Sequence, residues 1–325
     1  MLAGLFRSNQ PIVLVALLLL VPMLYFPSFF EVPPVPSPAM PFHHLLLDLV
    51  GNDRVVYGLV SHLFLLLICV QVNTLVSSSE LLDKRTHLPA LMFPILLAAF
   101  GPVVTLDPTI TGMPFVLAGL QRTWQMNNNG RAMHLLFDAG LLIGLSALFY
   151  LPYIFLVVVI WASISVIRPF QLREYVVAFM GAAVIMYFSW GVLFLLDLPW
   201  RPLLTVGASH PFDPEMHTVQ ASQRILLWMV LIAFLAVGVL SYSGSYRRSI
   251  MRQKNLRSAF LAFCAAVGIL IAFDRLITGV TAPIMIALPL VVFCAHALQQ
   301  PKRAWVGEAG VFSLLILALW AQWGW

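Results

Sequence analysis

Charged residues are scarce: Asp, Glu, Lys and Arg make up 10% of the 325 residues. A soluble domain typically carries about 25%. Hydrophobic residues reach 61% and the mean hydropathy is +0.94. One water-soluble core cannot hide that much apolar surface, so a soluble globular fold is excluded and a bilayer is the natural solvent. Cysteine is equally sparse. Cys69, Cys264 and Cys294 are three in number, and each lies in an apolar run, which argues against a disulfide framework or a cysteine metal cluster. No H-x-x-x-H, H-E-x-x-H, C-x-x-C or G-x-x-x-x-G-K-[ST] spacing occurs, so neither a local metal site nor a P-loop has support. The reading therefore carries no metal and no cofactor.

What is present is a ladder of long apolar runs. They predict spans at about 11–30, 55–76, 89–106, 108–124, 132–150, 151–167, 175–198, 224–243, 258–273, 280–298 and 311–325. Backbone groups in lipid must be satisfied within a segment, so the spans are helices. The expected fold is an all-α polytopic transmembrane bundle of about 11 spans (10–11), one integral domain over residues 1–325. Segments 89–106 and 108–124 are short and share the Pro108 break, so one of them could be re-entrant. The run after Arg7 exceeds a signal-peptide core and reads as an uncleaved first span.

Charge assigns the sides. With Met1 inside and eleven crossings, 14 of the 18 Lys and Arg residues fall on the cytoplasmic side. The other four are Arg54, Arg201, Arg224 and Arg275. This is the positive-inside pattern and predicts N-in, C-out, in a cell inner membrane. The net charge of +5 then needs no nucleic-acid partner. The densest basic stretch, within 244–257 (SYRRSIMRQKNLR over 245–257), reads as a cytoplasmic loop held against anionic lipid.

Two outer loops, about 31–54 and 197–224, hold ionisable groups that topology does not explain. Asp48, Asp53 and Arg54 close the first. Asp197, Arg201, His210, Asp213, His217 and Arg224, with Glu215, belong to the second. Asp107 sits at another outer tip, and Asp274 and Arg275 mark a further turn. A carboxylate beside a low-dielectric span can act as general base, with Arg clamping a phosphate. Asp48 and Asp53 are the catalytic candidates, and the remaining groups are candidates for binding substrate. The plainer reading is that exposed loops are simply polar and their Asp–Arg neighbours solvated. Within spans, Gly140, Gly144 and Ala147 form a small-residue seam for close helix packing. Asp138 invites a pair with Arg131 or His134. His62, Gln71, Asn73 and His296 read as hydrogen-bonding groups between helices.

The run FDAGLLIGLSALFYLPYIFLVVVIWASISVIRPFQLREYVVAFMGA carries a resemblance through Asp138, Gly140, Leu148, Phe149, Tyr150, Pro152, Arg168, Pro169, Phe170, Arg173 and Glu174. It resembles an uncharacterised polytopic inner-membrane protein family of Bacteroidetes (domain of unknown function family 6427). That likeness implies no catalytic residue. A weaker, architectural resemblance points to multi-span polyprenyl-phosphate-dependent glycosyltransferases, which carry a catalytic acid in the first outer loop. It implies Asp48 or Asp53 in that role.

The expected function is an inner-membrane component of the cell envelope, a scaffold or a subunit of a membrane assembly. Its partners would be the lipid bilayer and other inner-membrane proteins. The alternative is a polyprenyl-phosphate-linked glycosyltransferase acting on a polyprenyl-linked lipid at the periplasmic face. A transporter is the second alternative, since His62 and Pro-interrupted spans hint at midplane chemistry.

Overall fold

The computed structural model describes residues 2–7, 13–26, 40–51, 53–100, 106–126, 132–197, 221–278, 283–299 and 304–323. These residues form an all-α fold with no strand among them. The chain begins with α1 (Leu2–Arg7), α2 (Val13–Leu24) and α3 (Pro41–Val50). Then come α4 (Arg54–Ser78), α5 (Leu88–Phe100), α6 (Pro108–Trp124) and α7 (Met133–Ala147). A 3₁₀ segment, Leu151–Leu156, runs directly into α8 (Val157–Ile167). α9 (Leu172–Leu195), α10 (Ala221–Arg248), α11 (Met251–Thr278), α12 (Pro283–Gln299) and α13 (Ala304–Trp323) follow.

Four stretches are long and apolar enough to cross a membrane: α4, α9, Trp228–Arg248 of α10 and Met251–Phe273 of α11. The other expected spans correspond to shorter apolar helices, except 108–124, which coincides with α6. α5 has thirteen residues, which rise only about 20 Å. It is apolar all round, and every residue from Leu88 to Ala99 is buried, as befits a core helix. α4, α12 and α13 pack around it. α11 packs on α8, and α6 on α7.

Small residues set the closest helix approaches. On α7, a Cβ added at Gly140 would lie 1.9 Å from the Ala178 carbonyl oxygen of α9. One added at Gly144 would lie 2.3 Å from Ile185 and 2.9 Å from the Ala182 backbone. Gly181 answers from α9, with Phe137 O at 2.3 Å from its own added Cβ. The partner of the seam is thus α9, not the following helix α8, and Ala147 is buried at its end. Gly238 lets α10 approach Phe293 of α12 in the same way.

Helix direction divides the bundle into two ends. One holds Asp83, between α4 and α5. The other holds Asp107, before α6. Arg7, Lys84, Arg85, Arg122, Arg168, Arg173 and the basic residues from Arg247 to Arg257 lie at helix ends or loops of the Asp83 end. Arg54 and Arg275 lie toward the Asp107 end. The 244–257 stretch is not a loop: α10 continues to Arg248 and α11 starts at Met251, leaving a break of two residues. The chain turns there by helix-end bonds, Ser249 N–H to Tyr246 O at 3.3 Å and Lys254 N–H to Ile250 O at 3.0 Å.

Candidate functional site

The densest polar site lies at the Asp83 end and grows from the short connection 79–87. α4 ends with the Ser79 N–H bonded to Leu75 O at 3.0 Å. Glu80 then takes φ +50°, a left-handed conformation unusual for a residue with a side chain. That turn sends Leu81 inward and leaves Asp83 at the rim.

Four helices hold this connection. From α11, Arg257 reaches Asp83 Oδ1 through its NH2 at 2.9 Å, and Gln253 donates to Glu80 at 3.0 Å. From α10, the Ser245 hydroxyl donates to Asp83. From α12, His296 Nε2 donates to Leu81 O at 3.0 Å and Gln299 to Lys84 O at 2.9 Å. α1 contributes its Phe6 carbonyl, which accepts from His87 N–H at 2.9 Å.

Arg257 is the pivot. It is 1% exposed, among the most buried large side chains. Its NH1 donates to Ser245 at 2.7 Å and to Ser249, and its guanidinium lies 6.0 Å from the Tyr242 ring centre. Tyr242 also donates to the Arg257 carbonyl at 2.8 Å. Partial burial alone would push the Asp83 carboxyl up. The bonds from Ser245 and Arg257, and the Arg257 charge, outweigh it and hold the group below the usual carboxylate range. Beside this pair lies a cavity of about 430 Å³ bounded by α10, α11 and α12. A second, of about 280 Å³, lies on the Glu80–Arg85 side and shares Asp83 and Gln253 with the first.

A smaller polar cluster lies at the Asp107 end. Asp107 is buried and accepts from the Thr109 hydroxyl, which fixes the entry into α6. Tyr57 of α4 accepts from Leu106 N–H at 3.1 Å, and Tyr153 donates to Thr109 O at 2.7 Å. The amphipathic helix α3 docks here. Its His43 is buried with Nδ1 at 3.3 Å from the Thr111 hydroxyl, and Phe42 stacks on Phe149 at 6.1 Å. Burial, with the nearby His44 charge, lowers the His43 ring to about 4.

The catalytic candidates have local partners. Asp53 is the N-cap of α4 and accepts from Val55 N–H at 3.0 Å. Asp48 lies one turn from His44, at 2.9 Å, with its side chain 65% exposed. Arg54, Asp197 and Arg275 are exposed. Asp274 and Arg224 lie in helices, but their side chains are outside the described set. Arg201, His210, Asp213 and His217 fall outside the described residues. Of the groups nominated from sequence, Asp53 and Asp107 share one end with α3, whereas the tightest assembly is built on Asp83 and Arg257, neither of them nominated as a catalytic or binding residue. Asp83 and Arg257 stand 174 positions apart, and no local spacing links them. Asp138 is exposed. His62 bonds Gly58 O of its own helix through Nδ1 at 2.6 Å and meets the Tyr25 ring edge-on at 6.3 Å, and Asn73 bonds His87 at 3.0 Å. No group of three or more metal-ligating side chains occurs among the described residues.

A family model described as a family of unknown function (DUF6427) matches residues 42–322. No curated protein matches the sequence. Among solved structures, the chain is similar to the Archaeoglobus fulgidus oligosaccharyltransferase in complex with Zn and sulfate. The identity is 17% and the TM-score 0.48, over 90% of this chain and 45% of that one. Against the apo form of that enzyme the values are 16% and 0.46, over 89% and 49%. The chain spans less than half the length of those two chains. Its matched span, from α3 to the end of α13, covers most of the sequence, and the chain belongs to the DUF6427 family.

Proposed function

We propose that this protein is a multi-pass protein of the cell inner membrane that serves as a scaffold or subunit of a membrane assembly. Its N-terminus faces the cytoplasm and the chain makes about eleven crossings. The gathering of basic residues at the Asp83 end supports that orientation under the positive-inside rule.

The observation that carries the non-enzymatic reading is what the carboxylates of the Asp107 end do. Asp53 caps a helix, Asp107 is buried on Thr109, and Asp48 pairs with its own helix neighbour His44. Asp53 serves backbone geometry, and the other two each hold a side chain close by in sequence. Long helices with large apolar exposed faces, such as Phe188, Phe194 and Leu195 of α9, offer contact area for lipid or neighbouring membrane proteins.

The test is complementation of a deletion strain with Asp48→Ala and Asp53→Ala, with blue-native electrophoresis of the solubilised protein. Both variants should complement at wild-type abundance, and the protein should migrate above the mass of one chain in its micelle. Loss of complementation by either variant at normal abundance would overturn the reading in favour of chemistry at those acids.

A further inference from the structure

The cavity beside Arg257 is lined by polar groups, several of which also hold the 79–87 connection, and by one cation that does not. Its volume of about 430 Å³ equals the share of roughly fourteen liquid waters. Its walls are polar: Ser241 from α10, Ser249 from the break after it, Gln253 from α11, and His296 and Gln299 from α12. Asp83 also faces it, but the 2.9 Å bond from the buried Arg257 neutralises that carboxylate. Arg248 is the remaining charge on the lining and is exposed at the last turn of α10. The wall therefore presents one net positive charge amid hydroxyl and amide groups.

The access is lateral. Leu240, Gly244 and Arg248 recur at four-residue spacing on α10, so they line one face. Leu240 is 74% exposed, and Val237, nearly one turn before it, is also exposed. A Cβ added at Gly244 would meet nothing within 4 Å, so the groove between the apolar and charged positions is open. An occupant that fits is amphipathic: an alkyl chain lying on Val237 and Leu240, a linker crossing Gly244, and a single anionic phosphate at Arg248.

We propose that this groove binds one anionic phospholipid, with the phosphodiester on Arg248 and a hydroxylated headgroup in the polar cavity. Arg suits the phosphate because its planar donors engage two oxygens at once. The serine, glutamine and histidine walls suit headgroup hydroxyls, which both donate and accept. A zwitterionic amine headgroup would bring a second positive charge beside Arg248 and bind less well. This goes beyond the scaffold reading, since it concerns one lipid site and no protein partner.

The test is lipid binding to the full-length protein by native mass spectrometry, titrating phosphatidylglycerol or phosphatidylethanolamine into detergent solution. Wild type should prefer phosphatidylglycerol. Arg248→Ala should lose about tenfold in affinity, the scale of a lost charge-assisted contact. Arg247→Ala, exposed but not lining the cavity, should change it by less than about twofold. Gly244→Leu keeps every charge and enters open space, so the protein should fold and the site be blocked. Equal losses from the two Arg variants would show diffuse attraction and overturn the proposal. So would wild-type binding by Gly244→Leu, or equal affinity for the two lipids. Displacement of the lipid by equimolar inorganic phosphate would assign the site to a free anion and likewise refute it.

Discussion

Removing either partner of the Asp83–Arg257 pair should cost stability unequally, because the penalty falls on whichever charge is left behind. Asp83→Ala strands a guanidinium that is 1% exposed and cannot lose its proton. Ser245 and Ser249 still accept from it, but no counter-charge remains. Breaking a buried pair in this way costs about 3–5 kcal/mol. Arg257→Met strands Asp83 instead, whose side chain is 33% exposed. Water reaches that carboxylate and Ser245 still donates to it, so the cost should be nearer 1–3 kcal/mol. The double variant leaves no stranded charge and should resemble Arg257→Met alone. Unfolding free energies of the four proteins in mixed micelles, by steric trapping or detergent titration, complete the cycle. A larger cost for Arg257→Met than for Asp83→Ala would refute the reasoning. So would strict additivity in the double variant, since it would mean that the two charges do not sense each other.

Three further outcomes follow from the geometry. Gly140→Ala places a Cβ 1.9 Å from the Ala178 carbonyl and should destabilise by about 1–3 kcal/mol, while Gly191→Ala meets nothing within 4 Å and should be neutral or mildly stabilising; thermal unfolding of both variants in detergent separates them. The depressed His43 ring means that the folded state resists a proton the unfolded state accepts. α3 docking should therefore weaken as pH falls below the free-histidine value of 6.5 and stop weakening near 4, by at most about 3 kcal/mol. Faster amide exchange in α3 at pH 5 than at pH 7.5, after correction for intrinsic rates, checks it, and His43→Phe should remove the difference. Asp83 carries the same sign in a lower window: its contribution is present at neutral pH and lost only as pH falls through its depressed folded value.

The helices were legible because long apolar runs leave few alternatives, and α4, α9, α10 and α11 sit where such runs lie. The Gly140–Gly144 spacing likewise announced a close approach, but a spacing on one helix does not name its partner, and α9 lies beyond α8. The Arg-Pro-Phe-x-x-Arg-Glu motif has a physical account only in three dimensions. Arg168 NH2 lies 3.4 Å from Glu174 Oε1 across the turn, with the glutamate buried. Trp161 donates to Tyr175 O at 3.1 Å beside it. The Asp83 site was not legible. Arg257 sits in the most basic stretch of the chain and reads as part of a loop held against anionic lipid, yet it turns inward, six residues into α11. Asp83 stands beside Lys84 and Arg85, an ordinary loop composition. Nothing local in either stretch signals that the two meet.

That illegibility has a physical basis in the solvent. Among soluble helices, burying an apolar stripe fixes which faces meet. In lipid the tails are as apolar as leucine, so the same stripe drives no association, and packing must rely on close contact and polar bonds. α5 is buried on every side, and its uniformly apolar surface would tolerate a slide along its neighbours. Tyr25 resists a slide in mid-helix by donating to Pro94 O at 2.7 Å, and further bonds resist it where the chain leaves the apolar layer. At one end the 79–87 connection is tied to α10, α11 and α12 by Asp83, Leu81 O and Lys84 O. At the other, Tyr57 and Tyr153 tie α4 and the 3₁₀ segment to the start of α6. A shift of α5 by one residue would move it about 1.5 Å along its axis. From 2.9–3.0 Å, that is enough to break the bonds that hold the 79–87 connection. Register in this bundle therefore follows from a few polar atoms, at its rims and at Pro94 O, and changes there should alter helix alignment before they alter helix content.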